Sequence, residues 1–73
     1  MRGVVQLFDP EKGIGIIRGQ DGVRYPVTRA DIQRLEALAT GQRVYFSVRF
    51  VSKHAFATNV GKLKGGQKRF SND

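Results

Sequence analysis

The chain has no cysteine and no tryptophan, and only one histidine and two prolines in 73 residues. Without cysteine, disulfide scaffolds, thiolate metal sites and thiol chemistry are excluded. His54 alone builds neither a zinc site nor a His-paired catalytic triad. Long apolar runs are also missing. Ile14–Ile17 is interrupted by Gly15, far short of the ~20 residues that cross a bilayer. The stretch from Gly3 to Phe8 is too short for the apolar centre of a signal peptide. A cytosolic protein with no membrane partner is the expectation. No nucleophile–base pair, ligand cluster or G-x-x-x-x-G-K-S/T segment occurs, so no enzyme, metal or cofactor is expected. The glycines of Lys12-Gly13-Ile14-Gly15 stand between a turn and a strand, whereas a dinucleotide fingerprint lies between a strand and a helix. At this size one thin-cored domain is expected.

Acidic residues are scarce as well: 6 against 13 Lys and Arg, a net charge of +7. So large a surplus on so small a body points to a polyanionic partner, most often nucleic acid. Residues 1–60 hold nine basic and five acidic groups, or +4. Residues 61–73 hold Lys62, Lys64, Lys68 and Arg69 against Asp73, or +3. This second segment reads as a flexible basic tail, either a plain solvated terminus or an arm that seeks phosphates.

What is present is a succession of short strands and turns. The first strand is expected over Gly3 to Phe8, followed by the turn Asp9-Pro10-Glu11-Lys12-Gly13, where Pro presets φ and Gly accepts a positive one. The second covers Ile14 to Arg18, and Gly19-Gln20-Asp21-Gly22 makes the hairpin to the third, Val23 to Thr28. Pro26 lacks an N–H and belongs at an edge or bulge. Ile32, Leu35 and Leu38 recur at threefold spacing, so Arg29 to Ala39 is expected to hold a short helical turn, with Asp31 placed to help cap it. Val44, Phe46, Val48 and Phe50 alternate with Tyr45, Ser47, Arg49 and Val51, the pattern of a fourth strand. The Phe46, Val48 and Phe50 stripe is assigned to the core, and Tyr45 and Arg49 to a solvated face. Ser52-Lys53-His54 turns into the fifth strand, Phe56 to Val60. The expected fold is all-β: a small five-stranded antiparallel OB-type barrel with a short helical turn between strands three and four.

Residues 1–60 resemble the bacterial cold-shock domain family. Gly3-Val4-Val5-Gln6-Leu7-Phe8-Asp9 is similar to its G-x-V-K-W-F-N opening. Lys12-Gly13-Ile14-Gly15-Ile16-Ile17 is similar to K-G-F-G-F-I, and Asp21-Gly22 to its hairpin turn. Tyr25-Pro26-Val27-Thr28 stands where V-F-V-H is usual. Leu38 to Phe46 resembles L-x-x-G-Q-x-V-x-F, and Ala57-Thr58-Asn59-Val60 resembles A-x-N-V. The resemblance implies a barrel that binds single-stranded RNA or DNA and melts RNA structure. The physical basis is general: a basic groove follows phosphates while bases stack on strand-borne side chains.

The departures fall on the face that the resemblance implies is used for binding. Leu7 replaces its Trp, and Ile14 and Ile16 replace its two Phe. Pro26 and Thr28 replace a Phe and a His, and Arg29 stands where an aromatic is often found. By alternation Gly15, Ile17, Tyr25 and Val27 face in, while Ile14, Ile16, Pro26 and Thr28 face out. Arg24 stands where an Asp is common. The candidate nucleic-acid-binding residues are therefore Leu7, Phe8, Lys12, Ile14, Ile16, Arg24, Pro26, Thr28, Arg29, Lys53, His54 and Phe56. Phe8 and Phe56 read either as residual stacking rings or as core. Lys12 reads as a phosphate contact or a solvated turn charge, and His54 as an exposed loop residue. The same aliphatic face has a second reading, a docking or self-association surface through Leu7, Ile14 and Ile16.

Overall fold

The computed structural model describes residues 1–35 and 37–63. Five strands form one antiparallel sheet: β1 (Arg2–Asp9), β2 (Ile14–Gly19), β3 (Arg24–Thr28), β4 (Arg43–Val51) and β5 (His54–Lys62), in the spatial order β3-β2-β1-β4-β5. The all-β class and the strand count agree with the expectation. Strand β5 runs past Val60, and the Leu63 N–H donates to the Arg43 carbonyl, so residues 61–63 belong to the body. The remainder of the expected tail lies outside the described residues.

Turn chemistry sets the hairpins. Asp9 Oδ1 accepts from the N–H groups of Glu11 at 3.0 Å and Lys12 at 3.3 Å, an Asx-type turn. Gly13 follows at φ +67°, and its N–H donates to the Asp9 carbonyl. A bulge between Val5 and Leu7 breaks the alternation of β1. Strict period two would bury Leu7 beside Val5; the extra residue turns Leu7 outward and brings Phe8 onto the core side. Gly15 makes room for Phe8. A Cβ at residue 15 would lie 2.6 Å from the Leu7 carbonyl oxygen and 2.8 Å from the Phe8 ring.

The core is built from Val5, Ile17, Tyr25, Val27, Ile32, Leu38, Val44, Phe46, Ala57 and Val60. The Tyr25 and Phe46 rings meet at 5.3 Å with a 57° tilt, within the favourable range for aromatic pairs. Phe50 does not join them. Phe46 is 2% exposed, Val48 is half-buried and Phe50 is 72% exposed. Its alternation is the expected one, but the β4–β5 hairpin outruns the core and carries Phe50 with it.

The hydrogen-bonded sheet does not close into a barrel, because β3 and β5 share no ladder. They lie against each other across a seam, which is filled by the segment after β3. That segment is two single 3-10 turns, Arg29–Asp31 and Gln33–Leu35, separated by Ile32 in an extended conformation. Ile32 is buried and makes a parallel bridge to Val60. Asp31 does not cap the first turn, where Thr28 at the N-cap makes no side-chain bond. Its carboxylate faces the seam instead. It accepts from Thr28 Oγ1 at 3.3 Å and Thr58 Oγ1 at 3.0 Å, and pairs with Arg49 at 3.6 Å. Arg49 is thus an ion-pair partner as well as a member of a solvated face.

Asp31→Ala removes the partner of the part-buried Thr58 hydroxyl, together with the exposed contacts to Thr28 and Arg49, which water can replace. Hydrogen bonds to charged groups contribute about 1.5–3 kcal/mol. Urea denaturation is expected to show a loss of that order, with faster amide exchange at Ile32 and Thr58. A loss below about 0.5 kcal/mol would be inconsistent with a seam held by this carboxylate.

Candidate nucleic-acid interface

The β1–β2–β3 register arranges the outward side chains in rows. Leu7 lies opposite Ile16, and Ile16 opposite Pro26. Asp9, Ile14 and Thr28 form the neighbouring row. Leu7 is 53% exposed and Ile14 48%, while Ile16 is half-buried between its neighbours. The centre of the face is therefore aliphatic. Pro26 fits an exposed place on an end strand, where its missing N–H removes no ladder bond.

One end of the face carries the cations Lys12 and Arg29, beside Asp9 and Glu11 of the same turn. Lys12 is exposed at the tip of the β1–β2 turn. Arg29 folds back over that turn: its N–H donates to the Gly13 carbonyl, and its guanidinium donates to the Pro10 carbonyl. Arg29 therefore locks the turn while adding charge to it. The opposite end holds Arg24, whose Nε donates to Gln6 Oε1 at 3.0 Å.

Other expected residues stand apart from this centre. Phe8 is half-buried and packed against the core, the less exposed of its two readings. Phe56 is half-buried and pairs with Arg49 across β4–β5. It lies two residues before Thr58 on the same side of β5. Ser52 and Lys53 form the tip of the β4–β5 hairpin, and His54 opens β5 beside them. All three are exposed.

Three arginines escaped the sequence reading. Arg18 lies opposite both Val4 and Arg24, and Arg43 lies opposite Val4 on its other side. Together with Arg2 they line a groove of about 470 Å³. The Arg18–Arg24 pairing was open to inference from the Asp21-Gly22 turn, which centres that hairpin. The Arg43–Val4 pairing joins distant parts of the chain, and no local signal marks it.

The hairpin that presents Arg18 and Arg24 is fixed by one side chain. Asp21 Oδ1 accepts from the Val23 N–H at 3.0 Å, and Oδ2 accepts from the Tyr25 hydroxyl at 2.7 Å. The Tyr25 hydroxyl, then the Val23 N–H, hold the Asp21 carboxyl below its ordinary range. The same bond raises Tyr25 above the usual phenol value. Among the described residues no group of three His, Cys, Asp or Glu side chains is placed to hold a metal ion, and no helix is long and apolar enough to cross a membrane. No protein-family model matches the chain, and no curated protein matches it.

Because the folded-state value of Asp21 is lowered, its contribution to stability is present above the ordinary carboxylate range. It is lost as pH falls through the lowered value. Tyr25 has the opposite sign, so its share persists at neutral pH and is lost as pH rises through its raised value. Asp21→Asn should therefore lower Tm at neutral pH, with the difference from the parent closing in strong acid. An equal Tm difference at both pH values would contradict this assignment.

Proposed function

We propose that this chain is a cold-shock-like, non-enzymatic binder of single-stranded RNA or DNA in the cytoplasm, with charge partly replacing base stacking. The observation that carries the reading is the aliphatic Leu7–Ile16–Pro26 row, with Lys12 and Arg29 at one end of its face and Arg24 toward the other. Such a face offers apolar contact to bases and cations to phosphates. Weak RNA chaperone activity follows from the same chemistry, since a ligand that prefers unpaired strands opposes RNA structure by mass action.

Each base–aromatic stack contributes about 1–3 kcal/mol. Leu and Ile keep apolar contact but lack a π-face. Replacing three or four rings weakens base contact by several kcal/mol, at tenfold in affinity per ~1.4 kcal/mol. The +7 charge acts in the other direction. Binding is therefore weaker toward bases, stronger toward phosphates, less sequence-selective and steeply salt-dependent.

The exposure of Leu7 and Ile14 favours a second reading, in which the aliphatic face docks a protein partner or a second copy of the chain. A labelled oligonucleotide separates the two; with no tryptophan, intrinsic quenching is not an option. Anisotropy at about 50 mM salt should show binding that collapses by about 200 mM. Ile14→Phe combined with Ile16→Phe should raise affinity tenfold or more. Unchanged affinity in that variant would contradict the stacking explanation. Absence of binding at low salt, with concentration-dependent sedimentation, would favour the docking surface.

A further inference from the structure

Arg43, Arg18 and Arg24 form a row of like charges that works against the sheet's own stability. Arg18 and Arg24 are directly opposed on β2 and β3, and like charges so placed are destabilising. Arg43 continues the row on the far side of Val4. The row Arg43–Val4–Arg18–Arg24 thus crosses β4, β1, β2 and β3 in order. Three strand spacings of about 4.8 Å give it a length of about 14 Å.

Among the described residues no ion pair neutralises it. The groove beside the row is lined by Arg2, Arg18, Arg43, Gln6 and Gln20, with no carboxylate among its lining residues. Among the described residues Arg49–Asp31 is the only ion pair, so Arg18 and Arg43 have none. Asp21, at the adjoining turn, is the one carboxylate close by among the described residues; it keeps its negative charge, but its oxygens are bonded to Tyr25 and Val23 and it forms no ion pair with the row. The residues after Leu63 add Lys64, Lys68 and Arg69 against Asp73, so the chain brings little counter-charge of its own. Gln6 holds Arg24 through Nε and leaves the guanidinium's terminal nitrogens available.

We propose that Arg43, Arg18 and Arg24 form a track for the phosphodiester backbone of one nucleic-acid strand lying across β4, β1, β2 and β3, with its bases turned toward the Leu7–Ile16–Pro26 row. The proposal rests on the nucleic-acid reading above and adds the orientation of the strand. Along β2, Ile16 and Arg18 are two residues apart, so the two rows run parallel at about 7 Å. A span of three strand spacings suits a chain of phosphates better than one isolated anion. Arginine is the side chain for such contacts, because its planar fork takes two phosphate oxygens at once.

Two oligonucleotides of about eight units, a size within the range of single OB-type domains, test the track. One is oligo-dT, and the other is an abasic strand with the same backbone. The comparison pairs two variants of equal charge: Arg18→Gln with Arg43→Gln, and Arg34→Gln with Lys62→Gln from the neighbouring groove beside Tyr45, which shares only Leu63 with the first. The parent protein should bind both strands at low salt. The row variant should lose about 1.4 from its log–log salt slope, at about 0.7 per phosphate, and lose the abasic strand. The control variant should keep both. Its Tm guards against misfolding, and the row variant should melt no lower than the parent because a like-charge pair has been relieved. Equal slopes in the two variants, with oligo-dT still bound by the parent, overturn the track and leave the nucleic-acid reading standing. Failure of the parent to bind either strand overturns both. Vesicles of phosphatidylserine and phosphatidylcholine that bind the parent but not the row variant, with no oligonucleotide bound, assign the row to a lipid surface and overturn the track.

Discussion

One carboxylate holds the open side of this molecule together. The strands run β3-β2-β1-β4-β5, and the two end strands meet without a ladder. Backbone groups along such a seam are otherwise left to water. Asp31 accepts from a hydroxyl on each side, Thr28 at the end of β3 and Thr58 in β5, and pairs with Arg49 of β4. Ile32, the next residue, bridges to Val60 and enters the core. Polar clasp and apolar plug are adjacent in the chain, which is why the segment after β3 is too irregular to be one helix. This closure fixes where β3 lies relative to β5, while the β1–β2 and β2–β3 ladders set the outer face itself.

Held this way, the sheet displays two kinds of surface in parallel. The Leu7–Ile16–Pro26 row is apolar without π-faces, and the Arg43–Arg18–Arg24 row is charged and makes no ion pair among the described residues. Aliphatic contact falls off with distance and is indifferent to base identity, whereas the arginine contribution is set by phosphate count and ionic strength. A ligand held by both is gripped chiefly by what all nucleic-acid strands share. On the proposed reading, the energetic balance moves from bases toward backbone, and the net charge is part of the recognition chemistry.

The strands, their turns and most of the core were legible in the sequence, because period-two alternation and Asp-Pro and Asp-Gly turns are local signals. Ile14, Ile16, Pro26 and Thr28 face outward as alternation requires. Phe50 was misassigned because alternation reports a side of the strand and says nothing of where the core ends. Leu7 reached the outer face only through a bulge, which its own alternation with Val5 hides. Asp31 looked like a helix cap because its neighbours suggest a helix; its actual partner Thr58 is 27 residues away. The open seam and the arginine row share that cause. Both arise where residues distant in sequence meet, and local patterns carry no record of such meetings.

The most direct measurement is a residue-by-residue map of binding on 15N-labelled protein with a short unstructured oligonucleotide at low salt. Amide shifts are expected in one continuous band over Val4, Leu7, Ile16, Arg18 and Arg24, with little change at Tyr45 and Gly61. Shifts concentrated on the β4–β5 hairpin around Phe50 and Lys53, with the β1–β3 face silent, would contradict the assignment of this face as the binding surface.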